Sequence, residues 1–342
     1  METEMKTKLK KTGIVLFKIV VIIFLVITLN RIFMPKYVYE NQDGRITREY
    51  YAQSRYSEVI FVGSSTVHSA IDPLVLWQEK GISSYVRANA SQPMWISYYM
   101  IEDALKCHKP KLVCLDMTFI KYADDFVEEP STRKALDGMR LSSSKIKCIE
   151  ASMGEDEKMA DYLMPLFRFH SRWKELSIDD IKLAYYNKPV TLNGYLKDDG
   201  VAPVTEKELV YTKEGDLQLS PRNIEYLRKS IELCQKNGVE IFLFKTPAHS
   251  SNWSVGYDEQ IGKIAGEYNV NYINFDEYND IIGLDYSTDT PDEGSHLNSF
   301  GADKFSEYLA GYLADNYEIK DQRNERRFAD NWARINAQNI NR

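Results

Sequence analysis

The sequence is poor in the residues that build metal centres and disulfide frameworks. It has four cysteines and five histidines in 342 residues, with no Cys-x-x-Cys pair and no histidine cluster at metal-ligand spacing. We therefore expect no metal and no other cofactor. Cys114 falls in a strand pattern and Cys234 in a helix pattern, so both are predicted to be small core residues. A disulfide is permitted outside the cell, but a domain of this size does not need one.

A basic stripe and an internal repeat are also missing. The net charge is -7, and an acidic chain without clustered lysine or arginine argues against nucleic acid as a partner. The hydrophobic content of 44% is ordinary for a globular protein with a sizeable core.

The chain has one long apolar run, residues 14–33, interrupted mainly by Lys18, Asn30 and Arg31. About 20 residues are needed to span a bilayer, and Lys18 is near enough to one end to snorkel. A buried core helix is the first alternative, but the run has no polar face. A cleaved signal peptide is the second, but residues 29–39 offer no small-x-small cleavage site. The run is therefore predicted to be an uncleaved anchor, residues 13–34.

The charges around this run predict its orientation. Four lysines, Lys6, Lys8, Lys10 and Lys11, precede it, and acidic residues become common only after Glu40. By the positive-inside rule, residues 1–12 are expected in the cytoplasm. The remaining domain is then extracytoplasmic, in a single-pass membrane protein whose first partner is the lipid bilayer.

A possible catalytic turn follows the first strand pattern. Residues 59–62 are apolar and mostly β-branched or aromatic, as in a strand buried on both faces of a parallel sheet, and they are followed by Gly63, Ser64 and Ser65. The functional crevice of such sheets lies outside the carboxyl ends of the strands, so Ser65 is a candidate nucleophile. A tight polar turn that only caps the next helix is the alternative.

A candidate base and acid lie near the other end of the chain. Serine needs a base to take its proton, and an imidazole needs a carboxylate to hold its tautomer and orientation. Asp292 and His296 supply that pair on a loop before an amphipathic helix capped by Asn298 or Ser299. Taken alone, a loop aspartate and histidine are more often surface polar groups. Combined with Ser65 at the end of an early strand, they favour a Ser-His-Asp triad.

Strand and helix patterns alternate through the rest of the domain, which predicts an α/β fold with a doubly wound parallel sheet and helices on both faces. The predicted strands are residues 59–62, 85–88, 112–115, 241–244 and 272–275, and the predicted helices include 73–78, 93–107, 221–236 and 259–268.

Residues 120–215 break this alternation and are interpreted as a helical insertion in a domain that spans residues 50–317. An insertion that leaves the carboxyl end of the third strand is expected to cover the crevice and to select the substrate. Its most noticeable cluster is His170-Ser171-Arg172-Trp173, an aromatic platform beside a cation. Alternatively, Trp173 packs the insertion on the sheet and Arg172 pairs with Glu175. Residues 318–342 are polar and predict an exposed helix or a loose tail.

The sequence resembles the SGNH (GDSL-like) hydrolases, in particular their membrane-anchored group of bacterial cell envelopes, over most of residues 55–315. Gly63-Ser64-Ser65 stands where that superfamily has Gly-Asp-Ser, and Asp292 and His296 match its late Asp/His block. Further matching stretches are Ile71-Asp72-Pro73, Leu76-Trp77, Ala90-Ser91-Gln92-Pro93, Lys109-Pro110-Lys111-Leu112-Val113, His170-Ser171-Arg172-Trp173 and Lys245-Thr246-Pro247. The resemblance implies a three-layer, flavodoxin-like fold with Ser65 as the nucleophile.

The chain departs from the superfamily pattern in two places. The usual Gly-x-Asn-Asp block, which supplies an oxyanion-hole asparagine, is absent, because the third strand ends Leu115-Asp116-Met117-Thr118. Ser64, Asn89 and Gln92 are therefore considered as oxyanion or substrate-binding residues beside the backbone N–H of Ser65, although Asn89 is equally consistent with a turn. The acid also stands four residues before His296 rather than three, a position that Glu293 occupies here.

The expected function is that of a serine esterase or O-acyltransferase acting on acylated cell-envelope polysaccharide. An SGNH-like module that binds an envelope polymer or a partner protein without turnover is the alternative. A flavodoxin-like domain that uses residues 63–66 as an anion nest is a third, but it leaves Asp292 and His296 unexplained. The sequence does not distinguish hydrolase from transferase, and it does not give the acyl group, the acceptor or the oligomeric state.

Overall fold

Five parallel strands form the centre of the domain. The computed structural model describes residues 2–38, 42–122, 129–185, 189, 191–204, 217–249 and 253–339. Within these residues the strands run β1 Val59–Gly63, β2 Ser84–Ala88, β3 Leu112–Asp116, β4 Glu240–Lys245 and β5 Asn271–Asn274. Their order across the sheet is β2-β1-β3-β4-β5, and every neighbouring pair is parallel. All five predicted strands are confirmed to within one or two residues.

Helices precede, connect and follow the strands. In chain order they are α1 Glu2–Phe33, α2 Gln42–Gln53, α3 Ser65–Ala70, α4 Pro73–Lys80, α5 Met94–Cys107, α6 Glu129–Asp137, α7 Ser143–Ser152, α8 Met159–Leu163, α9 Pro165–Phe169, α10 Ile178–Tyr185, α11 Pro221–Lys236, α12 Val255–Tyr268, α13 Asn279–Ile282, α14 Ser299–Asn316 and α15 Arg326–Asn339.

Alternate strand residues face two separate hydrophobic cores. Ile60 and Val113 pack on one side with residues of α5, α11 and α12. Phe61 and Cys114 pack on the other with residues of α4 and α14. Because successive side chains of a strand point to opposite faces, this division shows that helices cover both faces of the sheet. The predicted doubly wound α/β arrangement is thus confirmed at the level of its layers and strand direction.

Helix α1 is long and apolar enough to cross a membrane. Its apolar stretch, Met5–Phe33, has 29 residues, and its most apolar window is not buried in the rest of the protein. The alternative of a buried core helix is therefore excluded. By length and composition, a single membrane span and a signal sequence share this character.

The helical part of the insertion contacts the end of α1. Arg172, in the 3-10 helix His170–Lys174, donates to the carbonyl oxygens of Phe33 at 2.8 Å and Met34 at 2.7 Å. The last carbonyls of a helix have no partner within it, and the guanidinium fork supplies one. Arg172 also pairs with Asp180 at 2.9 Å rather than with Glu175, the partner considered as the alternative.

The guanidinium of Arg172 is thus engaged with the end of α1 and with Asp180. Trp173 is 64% exposed, so it does not pack the insertion on the sheet. Residues 123–128, 186–188, 190 and 205–215 of the predicted insertion lie outside the described residues.

The domain is larger at both ends than the sequence indicated. Before the expected start at residue 50, α2 packs on β2, and the hydroxyl of Tyr85 donates to the carbonyl oxygen of Ile46 at 2.8 Å. Beyond residue 317, α15 is neither exposed throughout nor a loose tail. Its Phe328, Trp332 and Ile335 are buried, a spacing of four and three residues that places them on one helix face.

The four cysteines are free thiols. Cys114 and Cys234 are buried core residues, as predicted, Cys148 is buried as well, and Cys107 is exposed.

Candidate active site

The turn after β1 brings Ser65 to the edge of the sheet. Ser64 has extended backbone angles and occupies the N-cap position, and α3 begins at Ser65 itself. Gly63 is needed because a Cβ there would lie 2.6 Å from Cγ2 of Val67 and 2.7 Å from Cβ of Asp116. The glycine thus lets β1, β3 and α3 approach closely while Ser65 remains partly accessible.

Ser65, His296 and Asp292 form a continuous hydrogen-bonded chain. The Ser65 Oγ lies 2.8 Å from Nε2 of His296, and Nδ1 of His296 lies 2.5 Å from Oδ2 of Asp292. The backbone N–H of His296 also donates to Oδ1 of the same carboxylate at 2.9 Å. One carboxylate oxygen therefore orients the imidazole and the other holds the backbone of the same residue, and the far ring nitrogen faces the serine hydroxyl. The structure brings together the three residues that the sequence proposed as a triad.

The loop that carries the acid and the base is held by its own backbone. Gly294 has φ +94°, and a Cβ there would lie 2.6 Å from Cβ of His249. Its N–H donates to Oγ1 of Thr290 at 2.7 Å, and its carbonyl accepts from the N–H of His249 at 2.8 Å. Asn298 ends the loop as the N-cap of α14. His296 is therefore fixed between two anchored points.

Asp292, rather than Glu293, contacts the histidine. Partial burial acts to raise the pKa of Asp292, but the hydrogen bonds and charge of His296 outweigh it and leave that pKa below its usual value. Glu293 is exposed, has φ +58° and donates its N–H to the carbonyl of Ala202 at 3.0 Å. The additional residue between acid and histidine is thus accommodated in the loop.

Ser64 lies beneath the crevice. Its side chain is fully buried, and its Oγ is 2.9 Å from Oγ1 of Thr66. Thr66 in turn approaches Asp116 at 3.5 Å, and Asp116 accepts from the hydroxyls of Thr118 and Thr246, each at 2.9 Å. Burial raises the pKa of Asp116, and these hydrogen bonds oppose that shift. This polar network stands at the end of β3, where the asparagine block is missing, and it supports the turn from below.

Asn89 and Gln92 belong to a second buried network. Nδ2 of Asn89 donates to Oε1 of Gln92 at 3.0 Å and to Oγ1 of Thr47 at 3.2 Å, which uses both amide hydrogens. Nε2 of Gln92 donates to Oγ of Ser97 at 3.0 Å. In this arrangement the amide of Asn89 holds the loop after β2 and does not point donors at an oxyanion. Ala90, next to it, lines the same cleft as Ser65.

The triad opens into a cleft of about 380 Å³. Besides the triad residues, its lining includes His68, Ser69, Leu196, Lys197 and Asp198. Sequence reasoning missed these five. His68 follows Ser65 by three residues on α3, so helix periodicity could have predicted that both lie on the same side. Residues 196–198 are far from Ser65 in the chain, and no such pattern connects them to it. The insertion therefore reaches the crevice through its last segment, after α10.

A second cavity, of about 440 Å³, is lined by residues including Arg31, Arg45, Arg48 and Arg140, and none of the triad residues lines it. Arg45 pairs there with Glu49 at 3.0 Å.

Among the residues that the structure describes, no group of three or more His, Cys, Asp or Glu is placed to hold a metal ion.

Comparison with models of known protein families and with curated proteins finds no match for this chain. The functional assignment therefore depends on the geometry of the site.

Proposed function

We propose that this protein is a membrane-anchored serine esterase or O-acyltransferase of the SGNH (GDSL-like) type, acting on ester-linked acyl groups of cell-envelope glycans. The observation that carries the proposal is the unbroken contact from Ser65 through His296 to Asp292 at 2.8 and 2.5 Å. The strand order 2-1-3-4-5 supports it, because this is the flavodoxin-like order in which the crevice lies at the carboxyl ends of β1 and β3.

The proposed reaction is a two-step acyl transfer. Nε2 of His296 takes the proton of Ser65 while Oγ attacks the ester carbonyl carbon, and Asp292 stabilises the imidazolium that results. The alcohol leaves with that proton, and the acyl group stays on Ser65. Water or a second hydroxyl then gives its proton to His296, attacks the acyl-enzyme and restores Ser65. Water as acceptor makes the protein an esterase, and a glycan hydroxyl makes it a transferase.

The developing oxyanion requires donors fixed before the reaction. The backbone N–H of Ser65 is in the first turn of α3, where N–H groups have no partner within the helix. Ala90 lines the cleft beside it, so its backbone N–H is the second donor in our proposal. Asn89 then acts by holding the loop.

The membrane placement follows from α1 and the lysines before it. We propose that α1 is an uncleaved anchor with the N-terminus in the cytoplasm and the α/β domain outside, where acylated envelope polymers are found. An envelope glycan as substrate rests on this location and on the resemblance to membrane-anchored SGNH proteins.

One observation favours a second candidate, a module that binds acylated polymer without turnover. The side chain of Asn89 is committed to Thr47 and Gln92, so the cleft lacks the asparagine donor usual in this type of hydrolase. A serine-directed fluorophosphonate separates the two candidates, because only an activated serine reacts with it. Labelling that requires both Ser65 and His296 supports the enzyme. No labelling of the intact, folded wild type supports the module.

A further inference from the structure

The exposed apolar surface of this protein is concentrated in one short segment beside α1. Twelve large hydrophobic side chains outside α1 are exposed in the described part of the chain, and five of them lie in residues 167–185. We call these five the docking face: Phe167, Trp173, Ile178, Ile181 and Tyr185. Exposed apolar side chains gathered in one segment are characteristic of surfaces that meet another apolar phase.

The segment is held to the last turns of α1 by hydrogen bonds from three successive elements. The N–H of Leu166, in α9, donates to Oδ1 of Asn30 at 3.0 Å, and the hydroxyl of Tyr185, in α10, donates to Oγ1 of Thr28 at 2.9 Å. Between them, Arg172 caps the carbonyls of Phe33 and Met34. The segment is therefore fixed at one position along the axis of α1, beside residues 28–34.

That position coincides with the end of the apolar run. Thr28 lies five residues before Phe33, which is about 8 Å along a helix with a rise of 1.5 Å per residue. If the run 14–33 fills the hydrocarbon core, a tyrosine bonded to Thr28 lies at or just below the headgroup boundary. The neighbouring side chains of α10 then lie at the same depth.

The chemistry of the docking face suits that boundary. Ile178, Ile181 and Tyr185 follow one another at three and four residues and share one face of α10, whereas Asp179 and Lys182 pair with each other at 3.0 Å. Lys174 lies 5.5 Å from the ring of Trp173, and Arg31 lies 5.7 Å from the ring of Tyr185. Tryptophan and tyrosine next to basic side chains are characteristic of the layer between acyl chains and headgroups.

We infer that residues 165–185 dock on the bilayer surface beside α1, with the docking face inserted at the boundary between headgroups and acyl chains. This inference rests on the proposed placement of α1 in a membrane, and it adds a second attachment that fixes the tilt of the α/β domain. The occupant is lipid rather than a second copy or another protein, because the segment that carries the face is hydrogen-bonded to α1, whose own exposed apolar side chains lipid would cover.

Tryptophan fluorescence tests the inference on the full chain. Of the five tryptophans, Trp95, Trp253 and Trp332 are buried, Trp77 stacks on Trp332, and α1 has none. The protein is reconstituted in phosphatidylcholine–phosphatidylglycerol vesicles that contain lipids brominated near the top of the acyl chain. We expect bromolipid quenching that falls at least about twofold in Trp173→Phe and is unchanged in the matched control Trp77→Phe.

Flotation of the same samples separates this inference from the placement of α1. The protein could float with the vesicles while the fluorescence of Trp173 is quenched by acrylamide and not by bromolipid. That result would overturn the docking of residues 165–185 and leave the anchor intact. Failure to float would overturn both the docking inference and the membrane placement of α1. The esterase activity of Ser65 is measured independently of either. Protection of Trp173 that depends on protein concentration, without bromolipid quenching, would also overturn the docking inference in favour of a second copy.

Discussion

Each oxygen of the Asp292 carboxylate has its own partner on His296, the ring Nδ1 and the backbone N–H. Such bidentate contact fixes the ring orientation and the tautomer together, and serine activation requires both. Glu293 occupies the position usual for the acid in the resembling superfamily, but its side chain is exposed.

A pair of isosteric variants tests which acid serves the histidine. We expect Asp292→Asn to lower esterase turnover by about 10⁴-fold, because the amide favours the wrong imidazole tautomer. The control Glu293→Gln should stay within about twofold of the wild type, since it changes an exposed side chain. Activity lost in Glu293→Gln and kept in Asp292→Asn would reverse the assignment.

Asp72 is a buried carboxylate that caps α4, and its titration links stability to pH. Oδ1 of Asp72 accepts from the N–H of Leu74 at 2.8 Å, and burial raises the pKa of Asp72 from 3.8 to about 7. Because the folded state holds this proton more tightly than the unfolded state, stability falls as the pH rises from about 4 to about 7.

The variant Asp72→Asn keeps the cap and removes the charge. At pH 8 we expect it to be more stable than the wild type by on the order of 1 kcal/mol or more, and at pH 4 the gain should vanish. Urea midpoints at both pH values measure this difference, with Asp156→Asn, an exposed turn residue, as control. Equal gains at both pH values would show that charge burial is not the cause.

At the scale of elements, the sheet and the triad were predictable because their signals are local. A buried strand stopped by Gly63, and a His296 loop before a capped helix, each occupy about ten residues of sequence. The contacts of α10 were not predictable, since it packs beside α1 and the hydroxyl of Tyr185 donates to Thr28, far away in the chain. Leu196 reaches the cleft through long-range packing, which no local pattern encodes.

Helix α15 shows a signal that was present but overlooked. Trp332 stacks on Trp77 with ring centroids 5.4 Å apart, and its Nε1 donates to Oγ of Ser83 at 2.9 Å. The segment is strongly polar overall, so its one apolar helix face was not recognised. That face packs beside the start of β2.

Removing that contact should destabilise the whole domain. We expect Trp332→Ala to lower the free energy of unfolding by about 3–5 kcal/mol, because it leaves a large cavity and removes the hydrogen bond to Ser83. Arg326→Ala, at a side chain 94% exposed on the same helix, is the control and should change stability by less than about 0.5 kcal/mol. Equal, small effects would mean that α15 is dispensable.

At the scale of the whole molecule, the single exposed cysteine reports the side of the membrane on which the domain lies. Cys107 is exposed, and the other three cysteines are buried. With the N-terminus in the cytoplasm, a membrane-impermeant maleimide should label Cys107 on intact cells, and Cys107→Ser should abolish labelling.

The reaction requires the thiolate, and partial burial raises the pKa of Cys107, so labelling should be faster at pH 8.5 than at pH 7. Labelling that appears only after the membrane is permeabilised would place the domain in the cytoplasm.

The central claim is that Ser65 is an activated nucleophile, and its most direct test is turnover of a small acetyl ester by the full chain alongside a denaturant midpoint. Ser65→Ala should lower turnover by at least about 10³-fold with an unchanged midpoint, and adding His296→Ala should cost little more, because nucleophile and base act as a unit. A structural serine would leave its partners unpaired and lower stability by about 1–3 kcal/mol without changing chemistry. Unchanged turnover with a lowered midpoint would contradict the account.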